Sequence, residues 1–131
     1  MIDHLSLYTV HFDKAQKFYD AALGALGYER VRNMIATWDA EFPNRRICAY
    51  GPKGKAVLWM MEVKVATSTG HTAFVAKDRK AVHDFFEAAI AAGGKDNGGP
   101  GPRDQYHPTY YGAFVLDPDG NNVEAVIHGG S

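Results

Sequence analysis

Residues 2–10, IDHLSLYTV, alternate Leu5, Leu7 and Thr9 with His4, Ser6 and Tyr8. A period of two predicts a strand with one apolar face and one mixed face. Asp13 then offers an N-cap. Ala15, Phe18, Tyr19, Ala22, Leu23 and Leu26 follow at helical spacing, and Gly27 supplies a stop. Three more strands are predicted over 29–36, 46–50 and 55–63. The run YGPKGKAV separates the last two as a turn.

The pattern then restarts. HTAFVA, from His71, is a second alternating strand, and Asp78 is a second N-cap. AVHDFFEAAIAAGG is a second helix, closed by Gly93 and Gly94. The Gly- and Pro-rich run KDNGGPGPRDQYHP predicts a mobile loop. Two strands, over 110–116 and 122–127, end the pattern. A shift of 67 residues lays His4 on His71, Leu7 on Phe74, Phe18 on Phe85, Tyr19 on Phe86, Ala22 on Ala89 and Gly27 on Gly94. Two copies are too few for a solenoid. They predict an α+β fold of two βαβββ modules, 1–66 and 67–128, in one domain over 1–128, with a short tail at 129–131. Each sheet lays one face on its helix and curves the other around a shared cleft.

Alternation assigns the faces. Leu5, Leu7 and Thr9 are expected against the first helix. Thr72 and Phe74 are expected against the second, with Val123, Ala125 and Ile127 in the same class. His4, His71 and Glu124 then point to the opposite, concave face. Glu124 lies within an apolar strand, so it needs water or a partner. Two repeat-related histidines and a carboxylate on one side of a site leave coordination positions open. That set suits Fe(II), Mn(II), Co(II), Ni(II) or Zn(II), with a substrate bound through oxygen and the metal as Lewis acid. The bland alternative is that each histidine caps the start of its strand and Glu124 forms half of an ion pair.

Composition narrows the partners. The 131 residues are 46% hydrophobic, enough for a packed core, and the net charge of −1 comes from intermixed acids and bases. No basic face is visible to take nucleic acid or a membrane surface. The longest apolar runs, such as AVLWMM, are too short to span a bilayer. Cys48 is the only cysteine, so no internal disulfide is possible. The N-terminus shows no secretory signal pattern, and a cytoplasmic location is expected.

IDHLSL, KFYDAALGALGYE, GHTAFVA and above all YGAFVLDPDGNNVEAV together resemble the vicinal oxygen chelate superfamily: glyoxalase I, fosfomycin-resistance enzymes, bleomycin-resistance proteins and extradiol dioxygenases. The resemblance covers nearly the whole chain. It implies paired βαβββ modules in a curved, partly open mixed sheet with helices outside. It places metal ligands on His4, His71 and Glu124. In glyoxalase I a fourth ligand comes from the strand matching AVLWMM, where this chain offers Leu58 or Trp59, neither of which ligates. A homodimer is implied, with the cleft completed by a second chain.

PRDQYHPTYYG holds further candidates. Arg103 suits a carboxylate or phosphate clamp. His107 and Tyr110 suit proton handling, and Tyr106 a substrate hydrogen bond. Trp59 could wall the cleft, as could Trp38, with core packing the alternative for both. His128 shares Glu124's strand parity and is placed at the rim. The reading that results is a metal-dependent, glyoxalase-like lyase or isomerase acting on a small oxygen-rich substrate. An extradiol-type dioxygenase and a metal-free, bleomycin-resistance-like binder are the alternatives.

Overall fold

A computed structural model describes residues 1–129. Of the tail expected at 129–131, only Gly129 lies within the described residues. The first module runs β1 (Leu5–Thr9), α1 (Phe12–Gly24), β2 (Glu29–Ile35), β3 (Arg46–Gly51) and β4 (Leu58–Glu62). The second runs β5 (His71–Val75), α2 (Arg79–Ala91), two short strands β6 (Lys95–Asp96) and β7 (Gly101–Pro102), then β8 (Tyr110–Leu116) and β9 (Asn122–His128).

The two sheets repeat one topology. Their orders are β1-β4-β3-β2 and β5-β9-β8-β6, with β7 also on β8. In each, the strand before the helix runs parallel to the last strand and lies at a sheet edge. The run expected as a mobile loop is therefore partly strand. Its Gly and Pro residues are compatible with edge pairing in two-residue pieces, which periodicity is too short to reveal.

The helices cover one face of each sheet. Phe18, Ala22 and Leu23 of α1 and Val82, Phe85 and Ala89 of α2 are fully buried. Leu58, Met60, Val123 and Ala125 meet them from the sheets. Truncating Phe18 or Phe85 to Ala would cost about 3–5 kcal/mol. Thr9, Phe74, Val123 and Ala125 take their expected inward places, and Leu7 and Ile127 pack on the core from partly buried positions. Leu5 departs from expectation: it is 44% exposed, because β1 is an edge strand and the helix does not reach its first residue.

Only one predicted cap forms. Asp78 accepts from the Ala81 N–H at 2.7 Å, a cap worth about 1 kcal/mol. Asp13 does not cap α1, whose N-cap is His11 with no side-chain bond. Asp13 lies in the first turn instead, where Arg46 of β3 takes its carboxylate at 2.7 Å. Gly51, before the first hairpin turn, is required by close approach: a Cβ there would lie 1.6 Å from the Lys55 carbonyl oxygen.

The modules meet through their helices and through the DPDGNN turn between β8 and β9. Asp117 is buried, and all its acceptor capacity is used. Oδ1 accepts from the Asp119 and Asn121 N–H groups. Oδ2 accepts from Asn121 Nδ2 and, at 2.5 Å, from the Tyr19 hydroxyl of α1. Burial and the neighbouring Asp117 carboxylate hold the Tyr19 phenol well above its ordinary pKa. Asp119 accepts from Val10 N–H, just after β1. The most family-specific stretch of the sequence is thus a joint between modules as well as the approach to Glu124. No helix among the described residues is long and apolar enough to cross a membrane.

Candidate metal site

Register on the second sheet builds the site. His71 pairs with Asn122, Ala73 with Glu124, and Phe114 with Glu124 from the other side. Residues opposite one another share a face, so His71, Glu124, Phe114, Gly112 and Tyr110 all look away from α2. Glu124 is 1% exposed on this otherwise open face. Its neighbours cover it: His71 Nε2 lies 3.0 Å from Oε1, and the Tyr110 hydroxyl donates to Oε2. Gly112 makes room for the carboxylate, since a Cβ there would come within 3.1 Å of Oε2. Burial, with the bond to Glu124 second, raises the Tyr110 phenol above its ordinary pKa, so Tyr110 acts as a proton donor that fixes the carboxylate.

The ring of His71 is oriented from behind. Its Nδ1 lies 3.0 Å from the Asn122 carbonyl, which can only accept, so the ring proton sits on Nδ1. In the neutral ring, Nε2 then presents a lone pair toward Glu124 Oε1. Two acceptors at 3.0 Å repel unless a positive centre relieves them: a second ring proton or a metal cation. Adjacent ligands on a metal with bonds of about 2.1 Å lie about 3 Å apart, so this pair fits two positions of one cation. Phe114 stacks on His71, with centroids 6.1 Å apart, and limits the ring's rotation.

The remaining candidates fall into three groups. His107, Tyr106 and Tyr110 are neighbours: Tyr110 has ring centroids at 4.9 Å from Tyr106 and 5.2 Å from His107. Both nitrogens of His107 are engaged. Nδ1 accepts from the Thr109 N–H at 3.2 Å, which leaves Nε2–H to donate to His128 Nδ1 at 2.9 Å. Arg103 lies over Phe114, 5.3 Å from its centroid, with its guanidinium donating to the carbonyls of Gly99, Gly101 and Pro102. Two of its N–H groups remain for a ligand. His4 and Trp59 belong to the other sheet. His4 precedes β1, exposed, with Nδ1 bonded to Asp3 at 2.8 Å. Trp59 is half-buried on β4 beside Ser6. Among the described residues, no three His, Cys, Asp or Glu side chains gather in a group that could hold a metal.

Gly112, Phe114 and the Asn122 carbonyl were not found from the sequence. The first two share Tyr110's parity on β8, a signal that was present; the carbonyl carries no side-chain signature.

The sequence profile of the Glyoxalase/Bleomycin resistance protein/Dioxygenase superfamily matches residues 1–125. The chain belongs to this superfamily. Among solved structures of the same fold, a glyoxalase/bleomycin resistance protein from Albidiferax ferrireducens is 27% identical, with a TM-score of 0.74, and the match covers 96% of this chain and 97% of that one. The fosfomycin resistance protein FosX from Listeria monocytogenes, solved with Mn(II) and 1S,2S-dihydroxypropylphosphonic acid, is 18% identical at a TM-score of 0.68, covering 100% and 93%. Glyoxalase I from Zea mays is 20% identical at 0.72, and this chain spans 45% of its length. Among curated proteins, none matches the chain. Superfamily membership gives the His71–Glu124 pair a context in which divalent metals and small-molecule substrates are common.

Proposed function

We propose that the protein is a divalent-metal-dependent enzyme of the glyoxalase-like kind, a lyase or isomerase whose small, oxygen-rich substrate chelates the metal. The observation that carries this reading is the pair itself: an imidazole and a buried carboxylate, both oriented by further hydrogen bonds, with Nε2 and Oε1 3.0 Å apart. Such an arrangement suits a metal cation held between the two groups. His71 and Glu124 would hold it, with His4 as third ligand. When bound, the metal would act as a Lewis acid toward negative charge developing on a substrate oxygen. Fe, Mn, Ni, Co and Zn all suit this donor set.

The chain's other residues have distinct tasks. Tyr110 keeps Glu124 oriented. His107 passes a hydrogen bond to His128, so proton exchange at this rim runs through the pair. Arg103 and Tyr106 bound the space left for substrate, and Trp59, on the other sheet, would join them only from a second copy. Catechol-cleaving chemistry is the alternative use of the same three ligands, and the metal-free binder the alternative without them. The single, buried cysteine fits a cytoplasmic setting.

His4 lies on the other sheet of the chain, so its role requires a second copy. β1 and β5 are both edge strands, and exposed Ile2, Leu5, Tyr8 and Val75 lie on or beside them. A two-fold homodimer in which these edges meet would bring His4 of one copy to His71 and Glu124 of the other. The test is complementation. His4→Ala and His71→Ala chains, each expected to lose metal alone, are unfolded together, refolded as a mixture and assayed for bound metal. A shared site restores about a quarter of the wild-type content, because half the dimers are mixed and each holds one intact site. No restoration in demonstrably mixed dimers would remove the shared site. Full metal content in the separate variants would remove the ligand assignment.

A further inference from the structure

A groove of about 590 Å³ lies on the helix side of the molecule, between α1, the end of α2 and the β8–β9 turn. Its rim carries Lys14 and Lys17 of α1 and Lys95 of β6, with His11 at one end. Leu116, Pro118 and Ala92 supply apolar lining. It is distinct from the His71–Glu124 site, because α1 and α2 cover the opposite face of the sheets.

What sets these lysines apart is that three of them line one groove. Four of the other strong cations are matched by acids: Arg30 by Asp20, Arg45 by Asp39, Arg46 by Asp13 and Glu62, and Lys80 by Asp84. Among the described residues, Lys14, Lys17 and Lys95 enter no ion pair. The acids nearest Lys17 along α1, Asp13 and Asp20, are turned to Arg46 and Arg30. Lys14 and Lys17 lie three residues apart on one helix, a like-charge spacing that costs a few tenths of a kcal/mol without a counter-charge. The acidic group of the groove, Asp117, is buried with both oxygens filled from within the protein.

We propose that this groove binds a nucleotide-sized polyphosphate. Ammonium groups are point-charge partners for phosphate oxygens. Three of them on two elements match the charge of a di- or triphosphate. The volume falls in the range of small-molecule sites and exceeds what a lone phosphate needs. The apolar lining suits the base and sugar. Because α1 belongs to the first module and β6 and the turn to the second, a bound polyphosphate would bridge the modules.

The test is calorimetric titration of the metal-free Glu124→Gln protein, so that polyphosphate chelating a metal at Glu124 does not contribute. ATP and inorganic pyrophosphate are the probes, with adenosine and sulfate at matched ionic strength as references. Expected are dissociation constants on the order of 0.1 mM or tighter for ATP and pyrophosphate, weakening with salt. Adenosine and sulfate should bind at least about tenfold more weakly. Replacing Lys14, Lys17 and Lys95 together with Gln should weaken ATP at least about tenfold, while Lys80→Gln leaves it unchanged. These lysines are surface residues, and an unchanged melting temperature without ligand verifies the fold. Absence of binding at about 5 mM, binding of sulfate equal to pyrophosphate, or equal loss in Lys80→Gln would overturn the proposal.

Discussion

The two modules share a topology and differ in what they place at the same point. Ser6 and Ala73 are equivalent under the 67-residue shift; Ser6 lies beside Trp59, and Ala73 beside Glu124. Trp59 therefore occupies in the first sheet the position Glu124 holds in the second. Around Glu124 stand Tyr110, Gly112 and Phe114; beside Trp59 stands Ala49, with Ile47 two residues back along β3. One open face has become a carboxylate with donors and room, the other an indole on apolar neighbours. Backbone repetition thus fixes where side chains can meet, and the side chains decide whether the place is polar. The alignment left open between Leu58 and Trp59 is resolved as well: Leu58 is fully buried on the helix face, and Trp59 is the open-face residue. A fourth, carboxylate ligand is absent from that position.

Three changes would break or sharpen this contrast. The largest effect is expected from Glu124→Ala, which should lower metal affinity by more than about 100-fold, whereas Trp59→Ala should leave it within about threefold. Equilibrium dialysis with Zn(II) or Mn(II) reads both, and equal losses would erase the distinction between the modules. Next is Tyr110→Phe. It removes the hydroxyl that orients Glu124 and keeps the ring, so metal affinity should fall about 10–100-fold with the fold intact. Unchanged affinity would show that the carboxylate orients itself.

The smallest effect concerns alkaline pH. Burial first, and Glu124 second, hold the Tyr110 phenol above its ordinary value of 10.0. A folded-state pKa above the unfolded one means that the folded protein retains a proton the unfolded chain has lost. Its contribution is therefore complete below about pH 10 and declines as pH rises past that value. Replacing Glu124 with Gln removes the charge and leaves the burial. Ultraviolet titration should then place the Tyr110 ionisation lower than in wild type, though still raised. An unaltered titration would mean that the carboxylate exerts no field on the phenol.

Much of the architecture was legible because it repeats. Alternation at Leu5–Thr9 and His71–Val75, helical spacing from Ala15 to Leu23, and the Asp78 cap each point to one local structure. Asp13 misled because a cap depends on where the backbone leaves helical geometry, and Arg46, thirty-three residues away, competes for its carboxylate. The short strands β6 and β7 were illegible because two residues carry no period. At the site, the sheet brings His71 and Glu124 together as strand parity suggested, and adds Tyr110 beside them. It holds His4 on the other sheet, and it ties most of Arg103's guanidinium to backbone carbonyls.

By itself, the order of residues determined the doubled βαβββ plan, the inward and outward faces, and the shortlist of groups able to bind a metal. These follow from periods of two and 3.6 and from side-chain chemistry, which are local. Only the tertiary structure decided that Glu124 is buried between an imidazole and a phenol, that Trp59 is its counterpart, and that DPDGNN joins the modules. Each of those depends on register between strands far apart in the chain, where a slip of one residue would exchange the faces.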